Sequence, residues 1–492
     1  MGRSTYFGIV FIIAVAALAI SAFKRPGQRP NILLIVSEDH GPHLSCYGDT
    51  VVQTPNLDQI AKNGIQFNNA YVTESVCSPS RSSILTGLYP HQSGHLGLTT
   101  HGFHFVGKIR TLYQTLKKGG YRTGMIGKLH VEPDSIFPID YHPITSPNYE
   151  KLGLIRYAEY AEKFMNDGEE PFFLMVNYPD THWPFQDQVE GRPRKVLKPA
   201  DVTSFPYLQF DNQLIREYST ALYNCLLRLD ECVGELMEKL TKTGKANNTL
   251  VIYLSDHGDE MGRGKFDSYE IGTKIPLLAS WPGHIKKNIQ SDALVSTVDL
   301  LPTILSAAHL PIEDQRVTGK SLLPLFENPA LKFRKYLFTE KNCDQIGMYY
   351  PRRTIRDERY KLIYSLLDRK NPVAQSYMAN VNRGAAVAGS PTINEAENAS
   401  PLVRNIYALW LQPKKVQLYD LKNDPWEYHD LSTDAKYDQV KKNLLAELNR
   451  WQVQTDDPLR FPEKLNRLTQ ENDTMKVAKK MNWNYPSYLY GK

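Results

Sequence analysis

Three continuous apolar runs constrain this chain most: residues 31–36 (NILLIV), 171–178 (PFFLMVNY) and 249–254 (TLVIYL). A run without polar alternation reads as a strand buried on both faces, which is the habit of parallel sheets covered by helices. Helical patterns separate these runs. One follows Thr54-Pro55 and closes at Gly64; others span 112–118, 154–165, about 214–240 and 299–305, with further strands at 121–126 and 275–281. The alternation predicts an α/β fold, a large mostly parallel sheet covered by helices. After about residue 332 the character changes. Short strands at 336–339, 360–364 and 417–421 and a closing helix at 437–451 predict a smaller C-terminal α+β subdomain with an antiparallel sheet. Residues 370–411 show weak periodicity and read as a long surface insertion. The expected organisation is thus 1–22, 23–331 and 332–492.

Residues 7–22 (FGIVFIIAVAALAISA) follow Arg3, end in small residues and precede Lys24 and Arg25. The run is short for a membrane span and fits a signal peptide over 1–22, with no stable membrane insertion after cleavage. The mature chain is therefore expected to be exported: periplasmic, with secretion or a lysosome as alternatives. Lys+Arg 58 against Asp+Glu 53 leaves a dispersed +5, too weak for a nucleic-acid footprint. Five cysteines in 492 residues do not make a disulfide scaffold, and the odd count leaves a thiol unpaired in the monomer.

The strand ends carry the chemistry. In open α/β sheets ligands bind at the carboxyl ends of strands. Those ends here read Ser37-Glu38-Asp39-His40, Gly127-Lys128-Leu129-His130, Asp180-Thr181-His182 and Ser255-Asp256-His257-Gly258. Glu38, Asp39 and Asp256 offer hard oxygen ligands for Ca²⁺ or Mg²⁺. Lys128, His130, His182 and Lys265 would surround them with positive charge and proton donors, which suits phosphate or sulfate. The segment Cys77-Ser78-Pro79-Ser80-Arg81, running on to Leu85-Thr86-Gly87, places Cys77 at a helix N-terminus, where an anion is favoured.

Cys77-x-Pro79-x-Arg81 with Leu85-Thr86-Gly87 resembles the signature of the type I, formylglycine-dependent sulfatases. The resemblance extends over NILLIVSED, TPNLDQIAKNGIQFNNAY, GMIGKLH, PFFLMVNYPDTHWPF, TLVIYLSDHG and QLYDLKNDPWEYHDL. It implies an alkaline-phosphatase-like sulfatase fold. It also implies that Cys77 becomes Cα-formylglycine through a formylglycine-generating or sulfatase-maturating enzyme. Glu38, Asp39, Asp256 and His257 would bind Ca²⁺, less readily Mg²⁺, together with the residue-77 oxygen. Lys265 would polarise sulfate, Asp256 assist the attacking hydroxyl, and His182 and Lys128 serve the leaving atom. His130 would take the proton that releases sulfate, and Arg81 would hold the residue-77 loop.

Two departures stand out: Glu38 where many relatives carry Asp, and His257 where several carry Asn. His91, His95, His101 and His104 mimic zinc spacing but read better as pocket or turn residues. Among relatives the chain looks closest to the heparan N-sulfatase branch and to bacterial polysaccharide sulfatases. The expected substrate is a sulfated polysaccharide or oligosaccharide, ulvan-like or a glycosaminoglycan. Sulfamidase proper, a phosphatase or phosphonate hydrolase of the same superfold, and a silent carbohydrate-binding homologue are the alternatives. Tyr349, Arg352, Arg353 and Arg356 (YYPRRTIRDER) could line a pocket for a uronate or a second sulfate, or be charge on a strand edge.

Overall fold

A computed structural model describes residues 29–379 and 387–491; the signal-peptide reading of 1–22 lies outside these residues. The main sheet has eight strands: β1 (Asn31–Ser37), β2 (Ile65–Tyr71), β3 (Arg122–Ile126), β4 (Phe172–Asn177), β5 (Thr249–Ser255), β6 (Lys274–Ile275), β7 (Leu277–Ser280) and β8 (Ile289–Ser296). Their order is β3-β4-β1-β5-β7-β2-β6, with β8 beside β2. The strands β3, β4, β1 and β5 are mutually parallel, as is β8 with β2. The segment expected as one strand at 275–281 is interrupted at Pro276 into β6 and β7, and both run antiparallel to their neighbours.

Alternate residues of β1 enter two separate cores. Leu33 and Ile35 join the cluster beneath the Ile155–Asn166 and Gln213–Lys242 helices. Ile32, Leu34 and Val36 join the cluster beneath the Leu112–Lys118 and Leu300–Ala307 helices. A strand sandwiched this way has no polar face to show, which is why its sequence shows none.

The second sheet is antiparallel, with β9 (Leu337–Lys341), β10 (Arg352–Arg356), β11 (Tyr360–Ser365) and β12 (Val416–Asp420) in the order β12-β11-β10-β9. The Asp438–Gln454 helix packs on β10 and β11. Residues 370–411 are not a surface loop in their described part. They form the helices Pro372–Ala379, Ile393–Glu397 and Pro401–Leu411, which bury Tyr377, Tyr407 and Trp410 in the first core. Weak periodicity has a physical cause here, because short helices buried on several sides carry no clean amphipathic stripe. Among the described residues no helix is long and apolar enough to cross a membrane.

Candidate active site

Four adjacent parallel strands end at one edge, so their polar termini converge. Beyond β1, Asp39 takes a left-handed backbone (φ 56) and Glu38 exchanges backbone hydrogen bonds with Asp180 and Thr181 beyond β4. Beyond β3 the chain turns through Gly127 at φ 90, where a Cβ would lie 2.3 Å from the Asn177 carbonyl oxygen; only glycine permits this close approach. That turn delivers Lys128. Arg228 clamps Asp180 with two bonds of 2.7 and 2.8 Å and fixes the Asp180-Thr181-His182 turn.

Cys77 is the first residue of the wholly buried helix Cys77–Thr86, capped by Gly87 at φ 70. Its Sγ lies 3.3 Å from His257 Nε2 and 3.9 Å from Asp39 Oδ1. Arg81, one turn on, donates to Asp256 Oδ2 (3.1 Å), Glu38 Oε1 (3.3 Å), Asn177 Oδ1 (2.8 Å) and the Lys128 carbonyl (3.2 Å). Lys128 Nζ donates to Glu38 Oε2 at 2.7 Å, and Lys265 Nζ to Asp39 Oδ2 at 2.6 Å. His257 Nε2 is 2.9 Å from Asp39 Oδ1, and His182 Nε2 is 3.9 Å from Asp39 Oδ2. Of the expected catalytic and metal-binding residues, Glu38, Asp39, Cys77, Arg81, Lys128, His182, Asp256, His257 and Lys265 are linked by these contacts. His130 sits beside them at φ 58, with Nδ1 buried and unpartnered.

The electrostatics follow from burial and pairing. Burial alone would raise the Asp39 carboxyl, but Lys265, His257 and His182 hold it well below its ordinary range. Burial raises Glu38 against the pull of Lys128 and Arg81. Burial opposes protonation of His257, yet Asp39 and Asp256 hold its imidazole well above the usual value. His130 is pushed well below, by burial and then by Lys128 and Arg81, so it is neutral and able to accept a proton. His182 is likewise lowered by burial and Lys265.

Two overlapping groups could hold an ion: Glu38, Asp39, Cys77 and His182, and Asp39, Cys77, Asp256 and His257, each with ligand atoms within 4.8 Å of one another. Each holds two carboxylates, one imidazole and Cys77, and the paired carboxylate oxygens fit a hard divalent cation once residue 77 carries oxygen in place of sulfur. The longer Glu38 reaches sideways to Lys128 and Arg81, which separates it from the group around His257.

A sulfatase sequence profile matches residues 30–310, more than half of the chain. The chain belongs to the sulfatase family. It is accordingly a hydrolase of sulfuric esters. A profile described as N-sulphoglucosamine sulphohydrolase, C-terminal, matches residues 263–372. The sulfatase is similar to human N-sulphoglucosamine sulphohydrolase, at 32% identity over 472 residues, covering 87% of this chain and 91% of that protein. It is similar to an ulvan-active sulfatase of Formosa agariphila, at 29% identity over 451 residues, covering 88% and 82%. A protein solved with its substrate D-glucosamine-2-N,6-O-disulfate shares the fold, with TM-score 0.65 and 22% identity, covering 87% of this chain and 99% of that one.

Several neighbours in this sulfatase site escape a sequence reading. The Tyr149 ring stacks on His182 (4.3 Å between centroids) and lies 5.5 Å from the Lys128 ammonium. Glu260 Oε1 is 3.4 Å from Lys265 Nζ, and its Oε2 accepts from Trp183 N at 3.2 Å; burial raises its carboxyl to about 7. Buried Lys151 donates to the His182 and Pro184 carbonyls. Asn177, at the end of an apolar strand, and Glu260, near Asp256, had at least a positional signal; Tyr149 and Lys151, in an irregular loop, had none.

The arginine cluster lies on β10, and of its three arginines Arg356 lines a cleft. β10 is a central strand, and its three guanidiniums pair with carboxylates, Arg352 with Asp267, Arg353 with Asp457 and Arg356 with Glu270, while Arg352 Nε and Nη2 stay buried without a hydrogen-bond partner. Tyr349 is buried in a separate cluster with Cys343 and Trp483. The four spaced histidines also disperse: His91 pairs with Glu340, His95 bonds the Gly97 carbonyl, His101 lies by Thr100, and His104 stacks on Tyr485. All five cysteines are free thiols.

Proposed function

We propose that this sulfatase releases sulfate from a sulfated polysaccharide or oligosaccharide, an algal polymer such as ulvan or a glycosaminoglycan such as heparan. The observation that carries the reading is the setting of Cys77: a buried residue at a helix N-terminus, among carboxylates and flanked by Lys128, Lys265 and Arg81. A thiol has little use beside hard oxygen donors, whereas a formylglycine precursor belongs there. Once matured, residue 77 would supply the attacking oxygen, and Ca²⁺ held by Glu38, Asp39, Asp256 and His257 would supply Lewis-acid polarisation. Mg²⁺ is the less favoured ion.

The protein's own side chains do the rest. Lys265 offers its ammonium to the sulfate oxygens and stabilises charge that builds there, and Lys128 does the same for the leaving atom. Arg81 fixes Asp256 and Glu38 with a rigid fork, so the Asp256 carboxylate is oriented to accept the proton of the attacking hydroxyl. His182 bonds the Trp183 carbonyl through Nδ1–H, which leaves Nε2 facing the departing oxygen or nitrogen; it can deliver a proton there only once bound sulfate offsets Lys265 and Lys128 and the ring takes up a proton from solvent. The unpartnered Nδ1 of neutral His130 accepts the last proton. The reading includes export through the 1–22 signal peptide to the periplasm.

Matched aryl sulfate and aryl phosphate esters test it: sulfate release without phosphate release is expected, and the reverse would support a phosphatase. The tryptic peptide containing Cys77, from protein made in its native host, is expected to carry formylglycine. An unmodified thiol would favour the silent homologue. The N-sulphoglucosamine profile match favours a second reading, sulfamidase. A panel of defined N- and O-sulfated glycosaminoglycan and ulvan oligosaccharides separates the two by which sulfate is released. Ca²⁺ at 100 times its dissociation constant is expected to raise unfolding stability by about 2.7 kcal/mol over protein treated with a chelator, with a smaller gain from Mg²⁺. Equal denaturant midpoints with and without Ca²⁺ would refute the assigned metal site.

A further inference from the structure

Away from the catalytic edge, a cleft of about 1230 Å³ opens where the two sheets meet. It is larger than most small-molecule pockets, which run to about 1,000 Å³. One wall is the main sheet, through β2 and Lys274 of β6. The other comes from the second sheet, through Arg356, Glu358 and Arg359 beside β10 and Lys422 and Trp426 after β12. The loops carrying Tyr47 and Phe205 close the ends.

Its charge is unbalanced. Glu270 is committed to Arg356 and Lys361, Asp49 lies beside His43 and accepts from Tyr223, and Arg359 is paired with Asp420. Lys274 is half-buried in the cleft lining and its side chain forms no direct hydrogen bond or ion pair among the described residues; Glu270 and Asp292 act on it only at longer range, and Glu270 is already shared by Arg356 and Lys361. Burial lowers its pKa, and the neighbouring Arg356 lowers it further, against the opposing pull of Glu270 and Asp292. Lys422 adds a second free cation against the single exposed acid Glu358. Trp426 and Tyr47 present half-buried rings to the same space, the combination of flat apolar face and cation that an acidic sugar needs.

The cleft is tied to the catalytic loop without sharing its reactive groups. His43, in its lining, bonds Asp259 Oδ2 at 2.7 Å, and the Lys265 N–H donates to the Asp259 carbonyl at 2.7 Å. The cleft residues Glu270 and Ile271 follow on the same segment.

We propose that this cleft is a second carbohydrate site, binding an anionic stretch of saccharide with a carboxylate or sulfate on Lys274 and Lys422 and a sugar ring on Trp426. It would anchor a polymer while another residue of the chain enters the catalytic site. The inference rests on the reading of a sulfated saccharide as substrate. The probes are a heparin-derived octasaccharide and an ulvan octasaccharide, with an uncharged cello-octaose as control, titrated calorimetrically into Cys77→Ala protein. At least one anionic probe is expected to fill two sites per chain, and cello-octaose none. Lys274→Gln and Trp426→Ala are each expected to weaken the second site at least fivefold, and Lys274→Arg to retain it. Substitution of the exposed Lys422, as Lys422→Glu, is expected to weaken it too. In the active enzyme these variants should raise KM on polymer and leave aryl sulfate turnover unchanged. A single site in Cys77→Ala protein, or unaltered binding in all three weakening variants, would overturn the proposal. Two-site binding by a probe from which no sulfate is released would instead leave the cleft standing and refute that saccharide as substrate.

Discussion

At the scale of single residues, Arg81 shows how much one side chain arranges. Its guanidinium is fully buried and meets four acceptors, two of them carboxylates from different strand ends. Lysine would keep the charge but lose the planar fork, so Arg81→Lys leaves Asn177 and one carboxylate unsatisfied. The expected result is a fall in kcat of about 100-fold, the scale of a misplaced reacting group, with a much smaller change in KM. Steady-state kinetics on a sulfated disaccharide check it, and a loss confined to KM would assign Arg81 to substrate binding alone. His95 makes a prediction of a different kind. Burial holds its pKa down to about 3, and the neutral ring accepts from Glu132 N while Nδ1 donates to the Gly97 carbonyl. The unfolded chain protonates this histidine below pH ~6.5. Its contribution to stability is therefore complete above that pH and is lost progressively as pH falls toward 3. The slope is up to about 1.4 kcal/mol per pH unit. His95→Gln, which carries no titrating group, is expected to flatten that part of the profile; urea midpoints at pH 7, 5.5 and 4.5 that fall equally in both proteins would remove His95 from the account.

At the scale of elements, the helix Cys77–Thr86 is held in place at both ends. It starts at the nucleophile position and stops at Gly87, where φ 70 and contacts of 3.2 Å to Val317 and 3.3 Å to Leu301 leave little room for a side chain. Gly87→Ala is expected to cost about 1–2 kcal/mol, the left-handed penalty of an L-residue, and Gly87→Asn no less, because its larger side chain must also fit against Val317 and Leu301. Urea denaturation measures it, and equal midpoints for all three proteins would show that the cap carries no strain. The same elements divide into those that a sequence declares and those that it hides. β1, β4 and β5 announce themselves because both faces are buried and every residue is apolar. β2 (IQFNNAY) hides because a register shift between Phe67 and Asn69 breaks its alternation and its asparagines face outward. β10 hides for a deeper reason. Its arginines look like surface charge until Asp267, Asp457 and Glu270 arrive from 85, 104 and 86 residues away, which no local pattern encodes. The candidate site was legible at Glu38, Asp39, Lys128, His182 and Asp256 because strand termini mark one edge, and at Cys77 because Pro79 and Gly87 bracket a helix that starts there. Tyr149 and Lys151 reach it from an irregular loop, and only the folded chain brings them there.

At the scale of the whole molecule, buried polar pairs join the two sheets across their seam. Arg352 meets Asp267, Arg356 meets Glu270, Glu340 meets His91 and Asn342 meets Glu74, and none of these partners is open to solvent. Asp267 is the densest of these links, since it also accepts from Asn371 and Trp410, while its carbonyl receives the Ser75 hydroxyl two residues before Cys77. Breaking a buried pair from one side typically costs about 3–5 kcal/mol, because the remaining charge stays desolvated. Asp267→Ala is expected to lose an amount of that order and to disturb the insertion helices and the residue-77 loop together. The composition change near residue 332 would then mark a change of architecture without marking an independent unit of stability. Residues 23–331 produced alone would leave Glu74 and His91 without their side-chain partners and Asp267 and Glu270 without their arginines, and we expect that fragment to aggregate or remain unfolded. In the full chain, near-ultraviolet circular dichroism, far-ultraviolet circular dichroism and aryl sulfate turnover should be lost at one guanidinium midpoint. A soluble, cooperatively melting 23–331 fragment, or activity lost well before secondary structure, would show instead that the seam transmits little and that the two sheets stand by themselves.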